Sequence, residues 1–290
     1  ASSLCSSSST SGGLSVSPIK HLEASVAASS ARGIVAAIRC KQQDNQECVV
    51  VVSLKPFTLG NNFKPTQPAV HEEQMENMFG IKTIADASSQ IPASFCIQLG
   101  SSCTGTMTGF AADIQHLMGV AMEKVESHQS LYSESMSVDR IVRAISLTVQ
   151  RAARSQGGRP YGIQALFVGL DSQGKFQLYT IDPTGGWQHY GAGATAVGRG
   201  AKEVRALLYK QIKNGTLTKD SVGNVSNALR MAIASLIGES IKESDDKENF
   251  ANNHKLEALL VLKSSRNDCS MRRIDDSEVD SCLKQISEKE

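Results

Sequence analysis

The sequence predicts an α+β fold in which two antiparallel β-sheets stack face to face and helices cover both outer surfaces, a four-layer αββα sandwich. Three observations predict it. The stretch Ile163–Leu170 reads IQALFVGL, with Ile163, Ala165, Phe167 and Gly169 alternating against Gln164, Leu166, Val168 and Leu170. Both sets are mainly apolar, and a strand with one wet face would alternate apolar with polar residues, so this one is covered on both sides. Strand-like runs also come in hairpin pairs. Finally, consecutive amphipathic helices fall between those pairs, in the order strands, two helices, strands, two helices, strands, one helix.

In chain order, residues 1–16 are rich in serine and glycine and bury too little apolar area to fold, so a flexible arm is expected there. Residues 17–290 are expected to form a single domain. Pro18 ends the arm and His21–Ala31 reads as a short helix, with Leu22, Val26 and the alanines on one side. Gly33–Arg39 and Cys48–Leu54 are β-rich runs flanking the polar Lys41–Glu47, a hairpin pattern. Residues 56–92 are polar and dotted with proline, without sustained periodicity. A structureless connection of that length is uncommon inside a compact domain, so it reads as an insertion, with a short helix around Glu72–Phe79.

Strands resume at Ser94–Leu99 and Cys103–Met107. The turn Thr108–Asp113 opens a helix carrying Ile114, Leu117, Met118, Ala121, Met122 and Val125 at helical spacing. Ser137 or Asp139 starts a second helix to about Arg154, with Val138, Ile141, Val142, Ile145, Val149 and Ala152 as its apolar stripe.

The segment 159–208 then organises the chain. After Ile163–Leu170, the tetrad Asp171-Ser172-Gln173-Gly174 offers a type I turn closed by glycine, returning the chain into Lys175–Ile181. Asp182-Pro183-Thr184-Gly185-Gly186 ends that strand, because proline cannot donate to a ladder and glycine permits a tight bend. A short segment, Gln188–Tyr190, precedes GAGATAVGRGA, whose small residues allow close backbone approach. Helix Ala201–Lys213 follows, with Val204, Leu207, Leu208 and Ile212 on one stripe. Asp220 or Ser221 caps a helix through about Ile241, the polar run Glu239–Asn253 reads as a loop, Leu256–Leu262 and Cys269–Ile274 make a last hairpin, and Asp275–Glu290 a final helix.

Composition excludes several functions. Of 290 residues, 40% are hydrophobic, enough for a sizeable core, and 30 basic residues nearly cancel 29 acidic ones. That balance provides no electrostatic pull toward nucleic acid or an anionic membrane surface. No apolar run approaches the ~20 residues that span a bilayer, and the serine-rich start lacks the basic and apolar regions of a signal peptide. The seven cysteines, Cys5, Cys40, Cys48, Cys96, Cys103, Cys269 and Cys282, are scattered and form no CxxC. They read as reduced thiols, and cytoplasm and nucleus are the expected locations. The sequons at Asn214 and Asn224 are then silent, since acceptors matter only in the secretory route.

Motifs for small-molecule chemistry are weak. Gly191-Ala192-Gly193-Ala194-Thr195-Ala196 matches GxGxxA, but that fingerprint needs a parallel strand before it and an acid about 20 residues later. A hairpin precedes it here, and neither Glu203 nor Asp220 has the spacing, so backbone packing is the reading adopted. His71-Glu72 lacks the second histidine of HExxH, the six histidines show no metal spacing, and no GxSxG elbow occurs. No cofactor or metal is expected.

Arg159-Pro160-Tyr161-Gly162, Asp182-Pro183-Thr184-Gly185 and Ala194-Thr195-Ala196-Val197-Gly198 leading into a helix together resemble the alpha-type subunits of the twenty-S proteasome. Arg159, Pro160, Gly162, Asp182, Pro183, Gly185 and Gly198 are its motif residues. Val197-Gly198-Arg199-Gly200-Ala201-Lys202-Glu203-Val204-Arg205 and Glu126-Ser127-His128 look most like the type at the fourth position of the alpha ring. The resemblance covers roughly residues 17–286 with gaps. It implies an N-terminal nucleophile hydrolase-like fold, a noncatalytic structural role in ring, gate and activator docking within ubiquitin-dependent protein degradation, and other alpha and beta subunits as partners.

Catalytic relatives with this fold use a threonine whose free amine serves as its own base. The matching start of strand one is Arg32-Gly33-Ile34-Val35, without a hydroxyl, and an arm stands ahead of it. No catalytic residue is therefore expected. The alternatives are a self-processing hydrolase with another nucleophile, or a scaffold outside any proteasome. Three departures from the family pattern follow. Ser9-Thr10-Ser11 stand near the usual Tyr-Asp-Arg gate signature, and Leu22-Glu23-Ala24 where the family has Val-Glu-Tyr. Cys96 stands where a lysine pairs with activator C-terminal carboxylates; a neutral thiol makes no charge-assisted bond, so activator tails are expected to bind weakly at this subunit.

Overall fold

The computed structural model describes residues 18–30, 33–42, 46–56, 94–155, 158–191, 193–214, 225–243 and 254–287. The arm at 1–16, the insertion beyond Pro56 as far as Pro92, and the proposed caps at Asp220 and Ser221 lie outside them. The described elements run α1 (Pro18–Ser30), β1 (Ile34–Lys41), β2 (Glu47–Pro56), β3 (Ser94–Leu99), β4 (Cys103–Gly109), α2 (Ala111–Tyr132) and α3 (Val138–Arg154). There follow β5 (Ile163–Leu170), β6 (Phe176–Ile181), β7 (Trp187–His189), β8 (Ala194–Gly198), α4 (Ala201–Lys213), α5 (Val225–Glu243), β9 (His254–Lys263), β10 (Cys269–Arg273) and α6 (Asp276–Ser287).

The strands form two antiparallel five-stranded sheets, ordered β10-β9-β2-β1-β8 and β3-β4-β5-β6-β7. Strand β5 bears out its two-sided reading. Its Leu166, Val168 and Leu170 join Val35, Ala37, Val49, Val51, Val197 and Val261 of the other sheet in the dry space between sheets. Its Ile163, Ala165 and Phe167 instead pack with Leu117, Ile141, Ile145 and Val149 of α2 and α3. Helices α4, α5 and α6 cover the outer face of the first sheet, where Val204, Leu208, Leu229, Ile233 and Val279 meet Ile34, Ala36, Ile38, Val50 and Val52. The four layers are thus present, α-β-β-α.

Local chemistry explains the turns. Asp171 Oδ1 accepts from the backbone N–H of Gln173 (2.8 Å) and Lys175 (2.9 Å), and Gly174 takes φ 73°, which closes the β5–β6 hairpin. Burial raises a carboxyl, but these donors and the amide of Gln177 hold Asp171 below its ordinary range. Helix α1 begins at Pro18, where a missing N–H costs nothing, one turn earlier than the apolar pattern places it. Helix α2 continues past Val125 to Tyr132 and stops at Ser133 in the left-handed region, φ 55°. At the start of α3, Ser137 occupies the N-cap position, but its hydroxyl donates to Asp139 Oδ1 at 2.7 Å rather than capping the backbone.

One strand was not legible. Ala194–Gly198 pairs with β1 throughout, from Ile38↔Ala194 to Ile34↔Gly198. Small residues have weak β propensity, so the pairing follows from the free edge of β1, not from local preference. The GxGxxA match therefore leads into an antiparallel strand, and Gly193, at φ 80°, accepts the Arg39 N–H at 2.6 Å. That is backbone packing rather than a nucleotide cradle.

Phe167 is fully buried between β5 and the α2–α3 layer. Phe167→Ala is expected to lower unfolding free energy by about 3–5 kcal/mol, read as a shifted urea midpoint with unchanged slope.

Candidate functional site

The residues singled out by motif gather at two places around β5. The first is the approach to β5. Asp113 lies in the first turn of α2 and is 4% exposed. Its Oδ2 accepts from Arg159 Nη1 (2.8 Å) and the Gly162 N–H (2.9 Å), and its Oδ1 from Arg159 Nη2 (2.5 Å). This is a bidentate fork, the geometry for which arginine suits better than lysine. The guanidinium also lies 5.6 Å from the Phe110 ring centroid. Burial pushes the Asp113 carboxyl up, but the Arg159 fork and the Gly162 N–H outweigh it and hold it below the ordinary range.

Gly162 sits in a tight place. Its carbonyl accepts from Phe110 N–H at 2.9 Å, and a Cβ on it would meet Ala28 of α1 at 3.2 Å. Pro160 is buried, and its carbonyl accepts from Ser25 Oγ of α1 at 3.1 Å. Arg-Pro-Tyr-Gly is thus a clasp joining the start of α2, the start of β5 and the N-terminal helix.

The same helix closes the end of the sandwich where β1 begins. Gln164 sits on the inter-sheet face of β5; its Oε1 accepts from the Gly198 N–H at 2.9 Å. Its Nε2 donates to Ser29 Oγ (3.3 Å) and Ser30 Oγ (3.4 Å) of α1. Gly33 takes φ 65°, and its carbonyl accepts from Arg199 N–H at 3.0 Å. Gly198 has φ 99°, and a Cβ there would meet the Gly33 oxygen at 2.4 Å, so no other residue fits. The start of β1 therefore carries Gly33 and Ile34, neither of which bears a hydroxyl.

The second gathering is the β6–β7 turn. Asp182 Oδ1 accepts from the N–H of Thr184 (2.9 Å) and Gly186 (3.0 Å) and from the Thr184 hydroxyl. Pro183 is buried, and Gly185, at φ 80°, presses on α3 so closely that a Cβ would meet Gln150 Cγ at 2.4 Å. The Gly185 carbonyl accepts from Ser146 Oγ (2.6 Å) and Gln150 Nε2 (3.0 Å). Asp-Pro-Thr-Gly is a dock for a sheet turn on a helix.

Cys96 is apart from both. It lies half-buried on β3, the opposite edge of its sheet from β7, with its thiol 3.6 Å from Met271 Sδ on β10 of the other sheet. The sequence motifs marked Arg159, Gly162, Gly185 and Gly198 but not their partners Asp113, Ser146, Gln150 and Gln164. Only Asp113 left a signal, an acid placed in the first turn of a helix. Among the described residues no group of three or more metal-ligating side chains occurs.

The chain is similar in sequence to known proteins. The proteasome subunit family model matches residues 87–242, more than half of the chain. Proteasome subunit alpha-type 8 of Homo sapiens is 35% identical over 129 residues, 44% of this chain and 48% of that protein. Proteasome subunit alpha type-7-1 of Drosophila melanogaster is 28% identical over 156 residues, 54% and 60% respectively. Proteasome subunit alpha type-2 of Trypanosoma brucei brucei is 32% identical over 117 residues, 40% and 49%. The chain spans about half the length of the curated relatives it matches.

Asp113 is depressed, so its contribution to stability is present above the unfolded-state value of about 3.9 and fades as pH falls through the lower folded-state value. Arg159→Ala, which strands a buried carboxylate, is expected to cost about 2–3 kcal/mol near neutral pH. The deficit relative to wild type should shrink in acid below about pH 4, where the carboxyl protonates; urea unfolding at both pH values measures it. On its folded architecture and the match across 87–242, this chain belongs to the proteasome subunit family, and its likeness within that family runs to the alpha-type subunits.

Proposed function

We propose that this chain is a noncatalytic alpha-ring subunit of a twenty-S proteasome core particle, working by assembly rather than by chemistry. The observation that carries the reading is the start of β1. Catalytic members of this fold need a hydroxyl nucleophile there with its own free amine. Here the position holds Gly33 and Ile34, Gly33 is tied to Arg199, and α1 lies over the site through Ser25, Ser29 and Ser30. A helix bonded across that end, beside a strand start without a hydroxyl, supports the noncatalytic reading.

The role that remains is to fit between neighbouring alpha subunits and a beta subunit. Large apolar side chains on the outer helices supply contact area for that purpose, among them Leu131 and Tyr132, 76% and 62% exposed at the end of α2. The ring excludes folded proteins from an interior chamber, so shape becomes substrate selection and hydrolysis belongs to other subunits. The motif Val197–Arg205, which forms the β8–α4 junction, supports the fourth ring position, as does Glu126-Ser127-His128 on α2. Cys96, a neutral thiol on β3, would weaken the pocket for activator carboxylate tails at this subunit. Cytoplasm and nucleus are the proposed locations.

Purification of tagged chain from its own cells, followed by native mass spectrometry with subunit identification, tests the proposal. The expected result is one large particle containing other proteasome alpha and beta subunits. Recovery as a monomer, or in a complex without them, contradicts it.

A further inference from the structure

Cys40 and Cys48 stand directly opposite each other across the β1–β2 hairpin. Both pack in the core of the first sheet, and the proposed ring role makes no use of their sulfur chemistry. Their Sγ atoms are 3.1 Å apart, and both side chains are buried under the α4–α6 layer, at 1% and 0% exposure. Opposed residues in an antiparallel pair have Cα atoms about 4.5–5.5 Å apart, within the roughly 4.4–6.8 Å that a disulfide spans. The register that brings these sulfurs together is thus one a covalent bridge accepts. Beyond the pair, only Lys41↔Glu47 and the Gln42 N–H bond to Gln46 remain in the described ladder. Local opening of that short end, rather than global unfolding, is enough to admit a small reagent.

We propose that Cys40 and Cys48 form a redox-sensitive dithiol that closes to an intrachain, cross-strand disulfide on reaction with a small hydroperoxide. The hydrogen bond from the Cys40 thiol holds Cys48 below the ordinary thiol range against the opposing effect of burial. The same bond, joined by burial, pushes Cys40 up. Either thiol can donate in this contact, and with that polarity Cys48 is the sulfur that attacks first and Cys40 its proton donor. The Cys48 thiolate attacks one peroxide oxygen, the O–O bond breaks, and the departing oxygen takes a proton, leaving Cys48 as sulfenic acid. The Cys40 sulfur then attacks Cys48 sulfur, the S–O bond breaks, and the released hydroxide takes the Cys40 proton to leave as water. Two thiols and one hydroperoxide give a disulfide, an alcohol (or water, from hydrogen peroxide) and water. A dithiol reductant reverses the bridge.

The other core thiols differ. Burial pushes Cys103 well above the ordinary range and Cys269 up to about 12, which leaves both largely protonated and unreactive. Cys282 is also raised by burial.

The test uses the folded full-length chain, alone and in any particle it enters. It is treated with hydrogen peroxide without denaturant, alkylated, and mapped by mass spectrometry without reduction. The expected product is a peptide pair joined through Cys40 and Cys48, lighter than the dithiol by two hydrogen atoms and lost on adding dithiothreitol. Cys40→Ser should abolish the link and raise sulfenic-acid labelling at Cys48 several-fold. The wild-type map decides the matter if that variant does not fold. The proposal is overturned if Cys40 and Cys48 remain alkylatable thiols, if Cys48 passes to sulfinic acid without bridging, or if either sulfur bridges to another cysteine first.

Discussion

The contact between the inner faces of the two sheets is the constraint from which the rest of the structure follows. Leu166, Val168 and Leu170 of β5 and Phe176 and Leu178 of β6 press against valines of β1, β2 and β8. Each such side chain contributes on the order of 1.5–3 kcal/mol when removed from water. Because the same strands are apolar on their outer faces, each sheet also demands a helical cover, and α2–α3 and α4–α6 supply it. With both outer faces covered, the described strands meet their surroundings at the sheet edges and at the ends of the sandwich. What each end carries then decides what the protein can do.

At the end where β1 begins, the chain spends its polar side chains on closure. Gln164 is the one polar residue on the inter-sheet side of β5, and its amide binds Gly198 on one side and two α1 hydroxyls on the other. The Asp113–Arg159 fork and Gly162 hold the entry to β5 against the start of α2, and Ser25 ties α1 to Pro160. Glycine appears at the points where backbone meets backbone: a Cβ on Gly109 would meet the Gly162 oxygen at 2.1 Å, as one on Gly198 would meet Gly33. Arg-Pro-Tyr-Gly and Asp-Pro-Thr-Gly are therefore joints between layers in this chain.

Much of the fold was legible because it rests on local or periodic signals. The double-sided β5, the Asp171–Gly174 turn and the stripes of α2 and α3 each state their environment in a few residues. Strand β8 was not legible, because alanine and glycine accept many environments and its pairing depends on β1, more than 150 residues earlier in the chain. The candidate site was half legible for the same reason. Arg159 and Gly185 stood out by motif, but Asp113 and Gln150, to which they bind, lie 46 and 35 residues away in sequence and carry no spacing that announces the contact. The family match begins at residue 87, so β1 and β2 lie outside it, yet they occupy the centre of the first sheet. Their place in the architecture rests on packing rather than on sequence likeness.

The central claim is that β1 is entered from a covalently continuous helix and offers no hydroxyl with a free amine. Intact mass of the chain taken from its native assembly, before and after treatment with an electrophile that requires an adjacent amine and hydroxyl, tests this most directly. The account predicts a chain that retains α1 ahead of β1 and gains no adduct. A chain cut immediately before a serine, threonine or cysteine and carrying the adduct there would contradict it.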